Sequence, residues 1–168
     1  MLPKQNMNSI LMVCLGNICR SPVAEGILRQ KLKQEKLHEI TVDSAGTSSY
    51  HIGENPDPRS IKNAKAHTID ISTLKARQFT IADFDKFDSI FVMDSSNYQT
   101  VIALARNKTD SAKVKLLLNT KWPNQNIAVP DPYNEGPDGF ETVFNLIEQA
   151  CDVLVVELKN NLLKNKIK

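Results

Sequence analysis

Cysteine is scarce in this chain: three in 168 residues, with neither metal-ligand spacing nor the pairing of a disulfide framework. That excludes a disulfide scaffold and a zinc cluster, and it fits a reducing compartment in which thiols stay free. Long apolar runs are missing too. None approaches the roughly 20 residues that span a bilayer, and the opening Met1-Leu2-Pro3-Lys4-Gln5-Asn6 has no signal-peptide core. A cytoplasmic protein without membrane insertion is expected. Neither sign of charge dominates: the formal net charge is +2 and the basic residues are spread rather than striped, so nucleic acid is not an expected partner. There is no internal repeat and no low-complexity linker. With 41% hydrophobic and 24% charged residues, the chain is expected to fold alone as one domain over 1–168. Residues 1–8 and the lysine-bearing 159–168 are expected to fray.

Against this ordinary background, Cys14-Leu15-Gly16-Asn17-Ile18-Cys19-Arg20-Ser21-Pro22 stands out, because it sets a thiol six residues before a guanidinium. Ser9 to Val13 is a short apolar run of strand type. Ser21-Pro22-Val23-Ala24-Glu25 reads as a helix start, with Ser21 as N-cap, proline at the first helical position and an acid in the first turn. A loop between strand and helix aims its backbone N–H groups at the helix mouth and binds tetrahedral anions. Leu15, Gly16, Asn17, Ile18, Cys19, Arg20 and Ser21 are therefore the candidate phosphate cradle. Gly16 permits close backbone approach, Arg20 offers a planar fork to two phosphate oxygens, and Ser21 brings a hydroxyl to a sulfur leaving group. Arginine and helix dipole together lower a thiol pKa from about 8.5 towards ~3.5 to 7.5, which makes Cys14 a candidate nucleophile. The bland alternative is a buried cysteine that ends a strand.

Strands alternate with helices along the chain, so an α/β fold is expected: a doubly wound, four-stranded parallel sheet of flavodoxin-like order 2-1-3-4, with helices on both faces. The strands are read at Ile10 to Val13, Glu39 to Ser44, Asp88 to Met93 and Lys113 to Leu118. Helices are read from Pro22 to about Lys36, Arg59 to Ala66 and Ser95 to Ala105. Phe140, Val143, Phe144, Ile147, Cys151, Leu154 and Leu158 recur at helical spacing and predict a long terminal helix with Cys151 in its packed stripe. The segment Trp122 to Gly139 holds four prolines and reads as a long irregular loop. Ligand is expected at the carboxyl ends of the strands, where the Cys14 loop lies. His38, His51 and His67 have no motif around them and read as surface or packing residues.

The chain also resembles a family, the low-molecular-weight protein tyrosine phosphatases. Cys14 to Pro22 looks like their signature loop, Asp43-Ser44-Ala45-Gly46-Thr47 like the segment after their second strand, and Asp131-Pro132-Tyr133 like their general-acid loop. The resemblance runs from about Ile10 to Leu158. It implies hydrolysis of phosphotyrosine in proteins, and of small aryl phosphates, through a phosphocysteine intermediate. Cys14 would be the nucleophile, Arg20 the phosphate clamp and Asp131 the acid that protonates the leaving oxygen, with no metal and no cofactor. Read alone, Asp131-Pro132 is only a turn. Cys19 is a redox partner for Cys14 in such proteins; by its residue type alone it is equally a small packing group. Tyr50 and Tyr133 resemble aromatic substrate walls, or are exposed turn tyrosines. Asn17 and Ser44 resemble polar braces of the loop. Two positions depart from the pattern: Leu74 stands ahead of Ala76-Arg77 where many members have histidine, and Asn134 replaces a second tyrosine. Phosphoarginine in proteins is the alternative substrate, although the apolar Ile18 favours an aryl ester. An arsenate reductase would need further shuttling cysteines, which the segment between Cys19 and Cys151 lacks. A non-enzymatic anion-binding or redox module would not need Asp131.

Overall fold

The computed structural model describes residues 7–167. Among them, β1 (Ser9–Cys14), β2 (Thr41–Gly46), β3 (Ser89–Val92) and β4 (Val114–Leu116) form an all-parallel sheet in the order β2-β1-β3-β4. This is the expected order. Six helices accompany the strands: α1 (Arg20–Gln34), α2 (Pro58–Ala66), α3 (Asp83–Lys86), α4 (Ser95–Ala103), α5 (Lys108–Ala112) and α6 (Pro137–Lys166).

Side chains alternate across a strand, and β1 uses both faces. Ile10 and Met12 pack with Val23, Ile27, Ala64, Phe144 and Leu154 from α1, α2 and α6. Leu11 and Val13 pack on the other face with Phe84 of α3 and Val101 of α4. The central strand is thus covered on both sides, which is why its sequence reads as a continuous apolar run. Parallel register brings Cys14 beside Gly46 at the carboxyl end of the sheet.

Several boundaries differ from the sequence reading. β4 is shorter than Lys113 to Leu118, because Leu117–Thr120 winds into a 3-10 turn that still buries Leu117 and Leu118. An apolar run alone does not distinguish those two outcomes. The short helices α3 and α5 were not foreseen, since one turn carries too few residues to show a period. The terminal helix continues to Lys166 rather than fraying from 159. Its buried stripe runs on from Leu158 to the partly buried Leu162, and Lys159 and Lys166 reach Glu35 at 2.7 Å and Glu39 at 3.3 Å. At the other end Met7 packs partly against the core, and the Asn8 N–H donates to Asp88 at 2.9 Å. The rest of the expected frayed ends, 1–6 and 168, lies outside the described residues. Among the described residues no helix is long and apolar enough to cross a membrane.

Candidate active site

Cys14 ends β1, and the chain from Leu15 to Cys19 curls back over its sulfur before α1 begins. Three of the loop's carbonyls are held from outside: Thr47 N–H donates to Cys14 O at 2.9 Å, Ser48 to Leu15 O at 2.9 Å and Asp57 to Ile18 O at 2.8 Å. Inside the curl, the Asn17 N–H lies 3.3 Å from Cys14 Sγ. Asn17 adopts a left-handed conformation (φ 55°), the kind of turn that gathers successive N–H groups into an anion nest. Gly46 makes room for this curl. A Cβ there would stand 2.7 Å from Leu15 O and 3.1 Å from Asn17 N, both rigid backbone atoms.

The helix start differs from the sequence reading. Cys19 is the N-cap, without a side-chain cap bond, and Arg20 is the first helical residue. Ser21 is fully buried inside α1 and its hydroxyl turns back to Cys14 Sγ at 3.0 Å. Glu25 is not a first-turn acid either. It is buried against β2, where it accepts from Ser44 Oγ at 2.7 Å and pairs with Arg29 at 2.6 Å.

Arg20 is almost wholly buried. Its Nη1 donates to Asp94 at 2.7 Å and to Val129 O at 3.0 Å, while Nη2 lies 3.6 Å from Asp131. Burial opposes the guanidinium's charge, but Cys14, Asp94 and Asp131 outweigh it and hold the group protonated. Val129 N–H in turn donates to Met93 O at 2.8 Å, so the chain after β3 carries the Asp131 loop over the cradle. Asp131 does form a turn, accepting from Tyr133 N–H at 3.1 Å, and it also stands at the cleft. The turn expected of Asp-Pro is present, and it leaves the carboxylate at the cleft.

A cleft of about 330 Å³ opens here, lined by Cys14, Ile18, Arg20, Tyr50, Asp131 and Tyr133 among others. The structure therefore brings together the residues predicted as nucleophile, clamp, acid and walls. Tyr50 is 79% exposed and Tyr133 48%, so both keep an open face. A larger cavity of about 690 Å³ beside β4 is lined by Tyr98, Lys115 and Glu157 among others, with no cysteine, histidine or arginine. Among the described residues no cluster of histidine, cysteine and carboxylate side chains is arranged to hold a metal ion.

Cys19 packs with Ile18, Ala76 and Phe140, and burial pushes its thiol up to about 12 despite a bond from Ser60. Cys151 sits in the core stripe, as read, and is likewise pushed up to about 12 by burial. Leu74 packs against the core, and Asn17 Oδ1 accepts from the Arg77 N–H at 3.0 Å.

Sequence reasoning missed several residues. His51 lines the cleft: its Cδ2 lies 3.0 Å from the place of a Cβ on Gly16, and its Nδ1 meets Glu54 at 2.8 Å. His67, by contrast, stacks on Phe144 and bonds Glu141, a packing role. Arg59 pairs with Asp57 at 2.8 Å and lies over the rings of Tyr133 and Phe140. Only Pro58-Arg59 following an acidic N-cap was visible beforehand, and it signals a helix start rather than a clamp.

The low molecular weight phosphotyrosine protein phosphatase family profile matches residues 9–165. The human protein of that name is 40% identical over 152 residues, covering 89% of this chain and 95% of its own. A solved protein tyrosine phosphatase from Entamoeba histolytica superposes with a TM-score of 0.85 at 35% identity, covering 90% of this chain and 97% of its own. A solved Drosophila arginine phosphatase superposes with a TM-score of 0.83 at 31% identity, covering 89% and 97%.

Proposed function

The chain belongs to the low molecular weight phosphotyrosine protein phosphatase family, and from that premise we propose that it hydrolyses phosphotyrosine in proteins, and small aryl phosphates, through a phosphocysteine intermediate. The observation that carries this reading is the meeting of Cys14 Sγ, the Asn17 N–H, Arg20 and Asp131 at one cleft. Cys14 attacks phosphorus as the thiolate while the bond to the tyrosyl oxygen breaks, and Asp131 gives that oxygen its proton. With Nη1 committed to Asp94 and Val129, the Nη2 edge of Arg20 faces the cleft and, with the N–H groups of 15–20, holds the equatorial oxygens. Ionised Asp131 then takes a proton from water, which attacks phosphorus and expels the cysteine sulfur. The Ser21 hydroxyl at 3.0 Å stabilises the departing thiolate. No step requires a metal or a cofactor. Tyr50 and Tyr133 flank the aryl ring. Cys19, packed within the same loop, is carried as the redox partner that can form a reversible disulfide with Cys14, with packing as its other role. All three thiols are free and buried, which suits a reducing cytoplasm.

The Drosophila arginine phosphatase gives the second reading its footing. Phosphotyrosine, phosphoserine and phosphoarginine peptides, tested side by side, decide between them. Phosphotyrosine is expected to be turned over fastest, with Ile18 in the lining of the cleft suiting an aryl ester. Faster release from phosphoarginine would move the substrate assignment. Cys14→Ser is expected to lose roughly 10⁴-fold or more in kcat while still binding phosphate. Wild-type-like turnover in that variant would sink the covalent route.

A further inference from the structure

The larger cavity, of about 690 Å³, lies along the open side of β4 and shares no lining residue with the Cys14 cleft. Its size is that of a pocket able to enclose a ligand. β4 is the edge of the sheet and pairs with β3 alone. We propose that this groove is a docking site for an extended peptide segment of a partner protein, which adds to the sheet beside β4 and carries an acidic and a basic side chain two residues apart. The proposal does not depend on the chemistry assigned to Cys14.

The edge presents backbone to pair with. The Ile90 N–H donates to Lys113 O at 2.9 Å, so in this parallel ladder Lys113 and Lys115 turn their peptide groups to β3. Val114 C=O and Leu116 N–H therefore face outward, where an incoming strand can take them up. The groove has a wall on each face of the sheet, with Tyr98 of α4 on one and Glu157 of α6 on the other. Asn119 and Asn126, bonded to each other at 2.9 and 3.0 Å, close one end. A strand laid there is covered on both faces.

The charges say what that strand carries. Lys115 shares a face of the sheet with its register partner Phe91, which packs towards α6, and Glu157 stands across from it. Among the described residues neither has a hydrogen bond or an ion pair. Burial pushes the Glu157 carboxyl up and Lys115 pulls it back, so the charges are felt across the groove without the pair closing. Side chains on one face of a strand are two residues apart. A ligand strand that sets an acid on Lys115 and a base on Glu157 satisfies both, and the residue between them faces Tyr98, which suits an apolar side chain. A lysine on an edge strand has another use, to ward off pairing between sheets. Such a guard needs no Glu157 opposite it.

The probes are two capped pentapeptides, acetyl-Thr-Glu-Val-Lys-Thr-amide and acetyl-Thr-Lys-Val-Glu-Thr-amide, because the edge can take a strand in either direction. Binding is read from backbone amide shifts in nuclear magnetic resonance titrations. One of the two is expected to shift the Leu116 amide and to bind about tenfold tighter than the same peptide with glutamine at both charged positions. Methylation of its three central backbone nitrogens should cost about tenfold as well. Lys115→Met and Glu157→Gln should each weaken binding about three- to tenfold. Turnover of a small aryl phosphate should stay within about twofold, with and without peptide. No shift at Leu116 up to about 5 mM peptide, equal binding of the glutamine peptide, or shifts confined to the loop from Cys14 to Arg20 would overturn the docking site. The guard reading has its own signature: Lys115→Met would then bind the glutamine peptide more tightly or dimerise on gel filtration, and the proposal would be wrong. If Lys115→Met does not fold, Glu157→Gln, at an exposed position of α6, carries the same test.

Discussion

The two loops that meet over Cys14 are held in opposite ways. From Cys14 to Arg20 the backbone is tied at three carbonyls, Asn17 is locked through its side chain to Ser21, Ser44 and Arg77, and Leu15 is the only strongly exposed residue. From Pro130 to Asp138 every residue but Pro132 is exposed, and Asp131 is steadied by the Tyr133 N–H at 3.1 Å and by Arg20 at 3.6 Å. The difference matches the two tasks proposed for them. Donors that stabilise transferring phosphate must already be in place, because reorganising them during the reaction would raise the barrier. A proton donor has to reach different leaving oxygens and then turn to water, so a loop held by few bonds suits it.

That contrast can be broken by substitutions on each side. The largest expected effect belongs to the exposed loop: Asp131→Ala should lose roughly 10² to 10⁴ in kcat on phosphotyrosine. On an aryl phosphate whose phenolate is already stable the loss should be far smaller, and phosphate inhibition should not change. Equal losses on both esters would show that Asp131 is not the acid. A smaller effect of another kind is expected for Gly46→Ala. Its Cβ would stand 2.7 Å from Leu15 O, where no flexible side chain can yield. Thermal melts should report a loss of about 1 to 3 kcal/mol, the usual scale of overpacking. Phosphate inhibition and kcat should weaken together on every substrate. Unchanged inhibition would mean that the cradle tolerates displacement and the contrast between the loops is wrong. Least should follow from Arg59→Ala, which removes the cation over Tyr133 and Phe140. A rise of about two- to fivefold in KM for phosphotyrosine, with kcat unchanged, fits an exposed cation–π contact, and melting should fall slightly because the buried Asp57 loses its guanidinium partner. A large fall in kcat would instead tie Arg59 to the placement of Asp131.

Much of this was legible in the residues. β1 and the α6 stripe were read nearly in full, because the apolar run of Ile10 to Val13 and the 3.6-residue spacing from Phe140 to Leu158 are local signals. The cradle was legible for the same reason: thiol, glycine and arginine lie within seven residues between a strand and a helix. Asp131 became an acid only through resemblance, since its own neighbourhood spells a turn. The start of α1 was misread because Ser21 has the chemistry of an N-cap and Pro22 the chemistry of a first turn. What turned Ser21 inward was a sulfur from the preceding strand.

The sequence by itself determined the four strands and the longer helices α1, α2, α4 and α6, where the thiol and guanidinium sit relative to one another, and the parallel sheet that follows. Those depend on backbone preferences and burial patterns that repeat within a few residues. Only the tertiary structure decided that Arg20 is fixed by Asp94 and by Val129, 74 and 109 residues away. It alone set Glu25 against Ser44, 19 residues on, brought His51 to the cleft and laid Arg59 over the ring of Tyr133. A carboxylate, an imidazole or a guanidinium carries the same local signature wherever it ends up. Its partner is chosen by which strand lies beside which and by which loop is pressed over the sheet's end, and burial then makes the pairing obligatory because no water remains to replace it.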